Sequence, residues 1–149
     1  GGYSALAQDT DTVTATVTAT NLAVSVTDGS IAFGSVALNT ATSTAGTGQT
    51  QTVTNDGSNA TLNVKSTDAT NGTTWTLGTS PGSDIFKLEV STTTGTTYGT
   101  LQATDVYLTA SSTFTSLTSQ AVDFRFTTAT ASTDFVQKSL TITVQVTTP

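Results

Sequence analysis

The chain has no Cys, no Met and no His, and only 9% of its 149 residues are charged. Without His or Cys there is no serine or cysteine triad of the usual kind and no histidine-bearing zinc site. Without Cys there is no disulfide framework, and the usual cysteine evidence for compartment is missing. Lys and Arg total four against ten Asp and Glu, leaving a formal net charge of −6. So few cations cannot form the cluster that displaces counterions from phosphate, which argues against nucleic acid and against an anionic membrane surface as partners. No apolar run approaches the roughly 20 residues that span a bilayer, so membrane insertion is not expected.

Thr fills the gap. It accounts for about 40 residues, far above ordinary usage. Disordered chains also lack apolar residues, but they are typically highly charged and poor in β-branched side chains. Here the reverse holds. The branched Cβ of Thr suits a pleated surface while its hydroxyl faces water, so the composition predicts an all-β protein. The absence of oxidisable sulfur and the scarcity of Lys and Arg suit an environment with oxidants and trypsin-like proteases. The chain opens at Gly1-Gly2-Tyr3 with no signal-peptide pattern, the start expected of a processed secreted protein. An extracellular or cell-surface location is the expectation.

Period-two alternation recurs between turn signals. In "DTVTATVTAT", Val13, Ala15, Val17 and Ala19 share one face. After Asn21 the phase flips to Leu22, Val24 and Val26, as at a bulge or a change of sheet. "TDGS" at 27–30 reads as a turn, and "IAFGSVAL" as a strand with Ile31 and Phe33 on one side, Val36 and Leu38 on the other, and a bulge at Gly34. Residues 39–48 read as a surface loop. "QTQTVTN", "DGSN" and "ATLNVKS" read as a hairpin. Further on, Phe86, Leu88 and Val90 point inward, "AVDFRFT" buries Val122, Phe124 and Phe126 with Asp123 and Arg125 on the wet face, and Leu140, Ile142, Val144 and Val146 form a closing row.

Strands spaced at roughly 8–12 residues, with no longer repeat, predict one β-sandwich. The expected organisation is an amino-terminal arm, 1–20, followed by a sandwich domain, 21–149. Its architecture is a single immunoglobulin-like or jelly-roll β-sandwich of about 8–10 antiparallel strands with an amino-terminal extension strand.

"IAFGSVALNT…TQTVTNDGSNATLNV", residues 31–64, resembles the immunoglobulin-like modules of bacterial and archaeal surface proteins. These include the camelysin and TasA-like fibre subunits. The resemblance covers about a quarter of the chain. It implies a sandwich fold, secretion, and fibres in which the amino-terminal strand of one subunit completes the next; it transfers no catalytic residue.

Chemistry-bearing motifs are scarce. No S-x-x-K sequence accompanies Lys65, Lys87 or Lys138. The Asp residues sit mostly in turn-like settings beside Gly, Thr or Ser, which argues against a glycosidase carboxylate pair. Asp9 and Asp11 put two carboxylates on one side of a strand, but no calcium-loop pattern follows. No enzyme, no metal and no cofactor are expected. An isopeptide link from Lys65 or Lys138 would suit a pilus-like module, but the sequence cannot place either beside a partner. Asn59 and Asn71 head N-x-T sequons beside turns, making glycans candidate partners. Trp75 is the single Trp and is expected in the core or between sheets rather than in a sugar-stacking platform.

The arm poses the sharpest question. Ordering a residue costs about 1–2 kcal/mol in backbone entropy. Burying Val13 or Val17 returns about 1.5–3 kcal/mol, and the alanines less. With such small side chains, the arm gains enough only when both backbone edges are paired and its small face meets a core. It can fill that place in its own domain or in another copy, by donor-strand complementation. Tyr3, Ala5, Leu6, Val13, Ala15, Val17 and Ala19 are the candidate donor residues. The expected function is a structural subunit of an extracellular surface filament, a homopolymer. The alternative is an immunoglobulin-like cell-surface adhesion or carbohydrate-binding module.

Overall fold

The computed structural model describes residues 7–149. Ten strands follow one another as β1 (Val24–Thr27), β2 (Ala41–Ser43), β3 (Gln51–Asn55), β4 (Ala60–Ser66), β5 (Thr76–Leu77), β6 (Ile85–Ser91), β7 (Gly99–Thr100), β8 (Leu108–Phe114), β9 (Ser119–Thr127) and β10 (Ile142–Thr147). A one-turn helix, α1 (Thr44–Thr47), follows β2. The fold is all-β, as the threonine-rich alternation predicts.

The strands form two sheets. The larger runs β1-β3-β9-β6-β5, with β2 also on β9 and β7 also on β6; the smaller runs β10-β4-β8. Every ladder is antiparallel except the two-residue pairing of β5 with β6. Between the sheets lies an apolar core. Leu62 and Val64 of β4 and Phe86 and Leu88 of β6 have no exposed surface, and Val122, Phe124 and Phe126 of β9 pack with them. Phe86 stacks on Phe126 at 4.9 Å between centroids, and Phe33 and Trp75 approach the same ring from 5.5 and 6.5 Å. Trp75 is therefore a core-edge residue, and its Nε1 donates to the Ser132 hydroxyl at 3.0 Å.

Three local expectations are corrected. "DGSN" does not close a hairpin: β3 pairs with β1 and β9 in one sheet, while β4 pairs with β10 and β8 in the other. The turn carries the chain across the sandwich. It is fixed by the buried Asn55, whose Nδ2 donates to the carbonyls of Ser58 and Phe114 and whose Oδ1 accepts from the Gly57 amide. An alternating pattern specifies a face and leaves the identity of the neighbour open.

Second, "IAFGSVAL" is not a strand; Ile31, Phe33, Val36 and Leu38 are all half-buried along an irregular segment that turns at Gly34, φ 74°. Ile31 and Phe33 pack against the core, and the turn at Gly34 breaks the period of two before Val36 and Leu38. Third, Asp123 is not on a wet face. The 39–48 stretch, expected as a surface loop, forms β2 beside β9 and then α1, whose Thr44 reaches Asp123, and Asp123 has no exposed surface. Its Oδ1 accepts from the hydroxyls of Thr44 at 2.7 Å and Thr50 at 2.6 Å. Arg125, two residues on, donates to both carboxylate oxygens of Glu89 at 2.9 and 2.7 Å and stacks 4.0 Å from the Tyr98 ring. That bidentate pairing holds the Glu89 carboxyl below its ordinary pKa.

The ladder registers define two ends of the sandwich. At one lie the β3–β4 and β8–β9 turns, the Thr147 end of β10 and the start of β1 at Val24. At the other lie Ser66, Ile142, Trp75 and the segment after β9. We call these the arm end and the far end.

Candidate functional site

The arm leaves the body at Asn21. The Asn21 amide donates to the Ser58 hydroxyl, and its carbonyl accepts from both the amide and the hydroxyl of Ser58, each at 2.8 Å. The Asp56 amide donates to the Ala23 carbonyl. Gly57 lies so close that a Cβ there would run into the Asn21 carbonyl oxygen, so the clamp requires glycine for space. The phase flip after Asn21 coincides with this clamp, where free chain becomes sandwich.

Residues 7–20 carry no ladder in the isolated chain, and every one of them is exposed. Val13 keeps 93% of its surface and Val17 95%. Ala15 and Ala19 are exposed with them. The only hydrogen bond recorded within this segment is local, from the Thr12 amide to Asp11 Oδ1. The extension strand expected here is thus unpaired in a single copy. Tyr3, Ala5 and Leu6 lie outside the described residues.

A second unsatisfied element sits on the body. β10 and β4 are neighbours with the same inward apolar alternation, yet Leu62 and Val64 have no exposed surface while Ile142, Val144 and Val146 remain half-exposed. β10 has β4 on one side, and on the other it meets β1 only across the sandwich edge, with no ladder between them. Val24, Ile31 and Phe33 are half-buried against the same core. Such an edge offers a row of unpaired backbone groups.

The two sequons differ. Asn59 is exposed, and only its carbonyl oxygen is engaged, accepting from the Ser116 amide at 2.8 Å. The Asn71 amide donates to the Gln137 carbonyl, and the Thr73 hydroxyl shares a bond with Thr133. Asn71 lies in a knot at the far end. There Lys138 Nζ donates to the carbonyls of Asn71 and Thr73 and to Asp134 Oδ1. The Thr73 amide and Lys138 together hold the Asp134 carboxyl at a pKa of about 2. Lys138 is thereby spent on structure, and Lys65 faces Asp105 at 3.8 Å and the Tyr107 ring.

Among the described residues no three acidic side chains gather to hold a metal ion. No helix there is long and apolar enough to cross a membrane. Two exposed apolar features went unnoticed in the sequence: Leu117, 77% exposed at the β8–β9 turn, and Phe135, 85% exposed beyond β9. Their signal was a large apolar residue inside polar turn sequence, "TSLTS" and "TDFVQ". No protein-family model matches this chain, and no curated protein or solved structure does either.

Proposed function

We propose that this chain is the structural subunit of an extracellular surface filament, joined to the next copy by its amino-terminal arm. The observation that carries the reading is the arm itself. Fourteen consecutive residues, 7–20, alternate Thr with Val or Ala over most of their length and touch nothing that would order them. A strand with both edges free and two valines almost fully exposed gains from its alternation only when it is paired elsewhere. The body that follows has its own core, and none of residues 7–20 is buried in it. A contact between arm and body of successive copies is heterologous, so it propagates rather than closes. Trp75 is partly buried, stacked on Phe126 and bonded to Ser132, which favours the filament over the carbohydrate-binding alternative.

Negative-stain microscopy and sedimentation of the full chain against a variant lacking residues 1–20 test this. The full chain forms long filaments, and the truncated one remains a folded monomer with an unchanged melting temperature. Filaments of normal pitch from the truncated chain would overturn the proposal.

A further inference from the structure

The arm must find a particular edge, and the two free edges of the small sheet are not equivalent. On β8 the ladder with β4 shifts register between Ala60 and Leu62 and again between Leu62 and Asn63, and bulges of this kind spoil an edge as a template. Its outer side is also approached by another segment: the Thr92 hydroxyl donates to the Ala110 carbonyl, and Thr92, Thr97 and Gly99 line a hollow with Leu108, Thr109 and Ala110. β10 pairs with β4 over six consecutive residues without a shift. Among the described residues no backbone hydrogen bond reaches β10 from its other side. Its inward row, Ile142, Val144 and Val146, is only partly buried.

The polarity of the sandwich then fixes the direction. The arm departs from the arm end of its own body, at Asn21 beside Ser58. Copies stacked head to tail put that end against the far end of the next copy. An arm reaching into the neighbour therefore has residue 20 near the neighbour's far end and residue 7 toward its arm end. β10 runs the opposite way, with Ile142 at the far end and Thr147 at the arm end. An arm donated in this way is antiparallel to β10. An arm folded back onto its own body would instead be parallel to it. The ends carry matching features: Leu22 and Leu117 are exposed at the arm end, and Phe135 and Val136 at the far end. Different apolar residues at opposite ends suit a contact between unlike surfaces.

From this we infer that the acceptor is the open edge of β10 in a second copy, which takes residues 11–19 as an added antiparallel strand, paired along one edge, with Val13, Ala15, Val17 and Ala19 on the core-facing side beside Ile142, Val144 and Val146. The inference deepens the filament reading and rests on it.

Because the chain has no Cys, engineered pairs report position without background. Thr18→Cys with Thr143→Cys and Thr12→Cys with Thr143→Cys are oxidised in the assembled full-length protein and separated on denaturing gels. The expected result is a ladder of covalent oligomers from the first pair, at least tenfold stronger than from the second. A stronger second pair, or a linked monomer, overturns the antiparallel donation. If neither pair links while filaments form and removal of residues 1–20 abolishes them, β10 is the wrong acceptor and the donated arm stands. If the full-length protein forms no filament, both fall together. Thr12, Thr18 and Thr143 lie on exposed or half-exposed positions, so substitution there leaves the body folded, which its unchanged circular dichroism spectrum checks.

Discussion

Two stretches of this chain are nearly the same sentence with different words. The arm reads Val13-Thr14-Ala15-Thr16-Val17-Thr18-Ala19, and the closing strand reads Leu140-Thr141-Ile142-Thr143-Val144-Gln145-Val146. Both alternate apolar with polar residues, and both are rich in Thr. The second is a six-residue strand packed on the core; the first has no partner within its own copy. The difference is apolar bulk. Ile142, Val144 and Val146, with Leu140 just ahead of the strand, give β10 enough buried area to offset the ordering of its backbone with only one neighbour. Two Val and two Ala do not, so the arm stays unpaired on its own copy. The same alternation therefore has two outcomes, decided by a few methylene groups per face.

The sharpest way to break this comparison lies within the small sheet. Leu62→Ala in β4 empties a fully buried site and is expected to destabilise the monomer by about 2–5 kcal/mol in urea unfolding. Ile142→Ala in β10, half-exposed in the isolated copy, is expected to cost less than half of that. In assembled filaments the gap narrows, because a strand added outside β10 buries Ile142. Equal costs in the monomer would show that the edge of β10 is already covered.

A smaller effect is expected in the arm. Val17→Thr keeps the shape and adds a hydroxyl, which is not an innocent change where the side chain is buried. The critical concentration for assembly is expected to rise about tenfold, corresponding to about 1.4 kcal/mol. The thermal unfolding of the monomer stays where it was, since Val17 touches nothing there. A shift in monomer unfolding would mean that the arm already packs on its own body.

The smallest effect concerns the far end, where the arm is proposed to enter. The Asp134 carboxyl is held at about 2 by the Thr73 amide and Lys138, below the ordinary value of about 4. A pKa depressed by folding contributes stability that is fully present above the unfolded value and is lost as pH falls through the folded one. The melting temperature is therefore expected to drop between about pH 4 and pH 2, and this part of the drop is expected to vanish in Asp134→Asn. An identical acid profile in that variant would place the sensitive group elsewhere. Glu89, held down by Arg125, titrates in the same direction and remains as the internal control.

Much of the body was legible in residue order, because burial on one face of a strand leaves a period of two. Phe86, Leu88 and Val90, and again Val122, Phe124 and Phe126, are inward as their spacing indicates. The turn at Asp28-Gly29 was equally plain, and both residues take the left-handed backbone, with φ of 77° and 69°. Partner choice was not legible. "DGSN" looks like a hairpin turn, but Asn55 closes it against Phe114 and sends the chain to the other sheet. Asp123 looked solvated because an alternating strand cannot announce that Thr44 of α1 reaches it.

What the sequence determined alone is the β class, the scarcity of chemical groups and the weakness of the arm. Each follows from side-chain size and polarity, properties a residue carries wherever it lies. Only the tertiary structure decided which strand is left at an edge, which end each turn occupies and where the arm detaches. Those depend on which distant segments meet, and at Asn21, Asn55 and β10 that meeting is set by contacts 37, 59 and 82 residues apart in the chain.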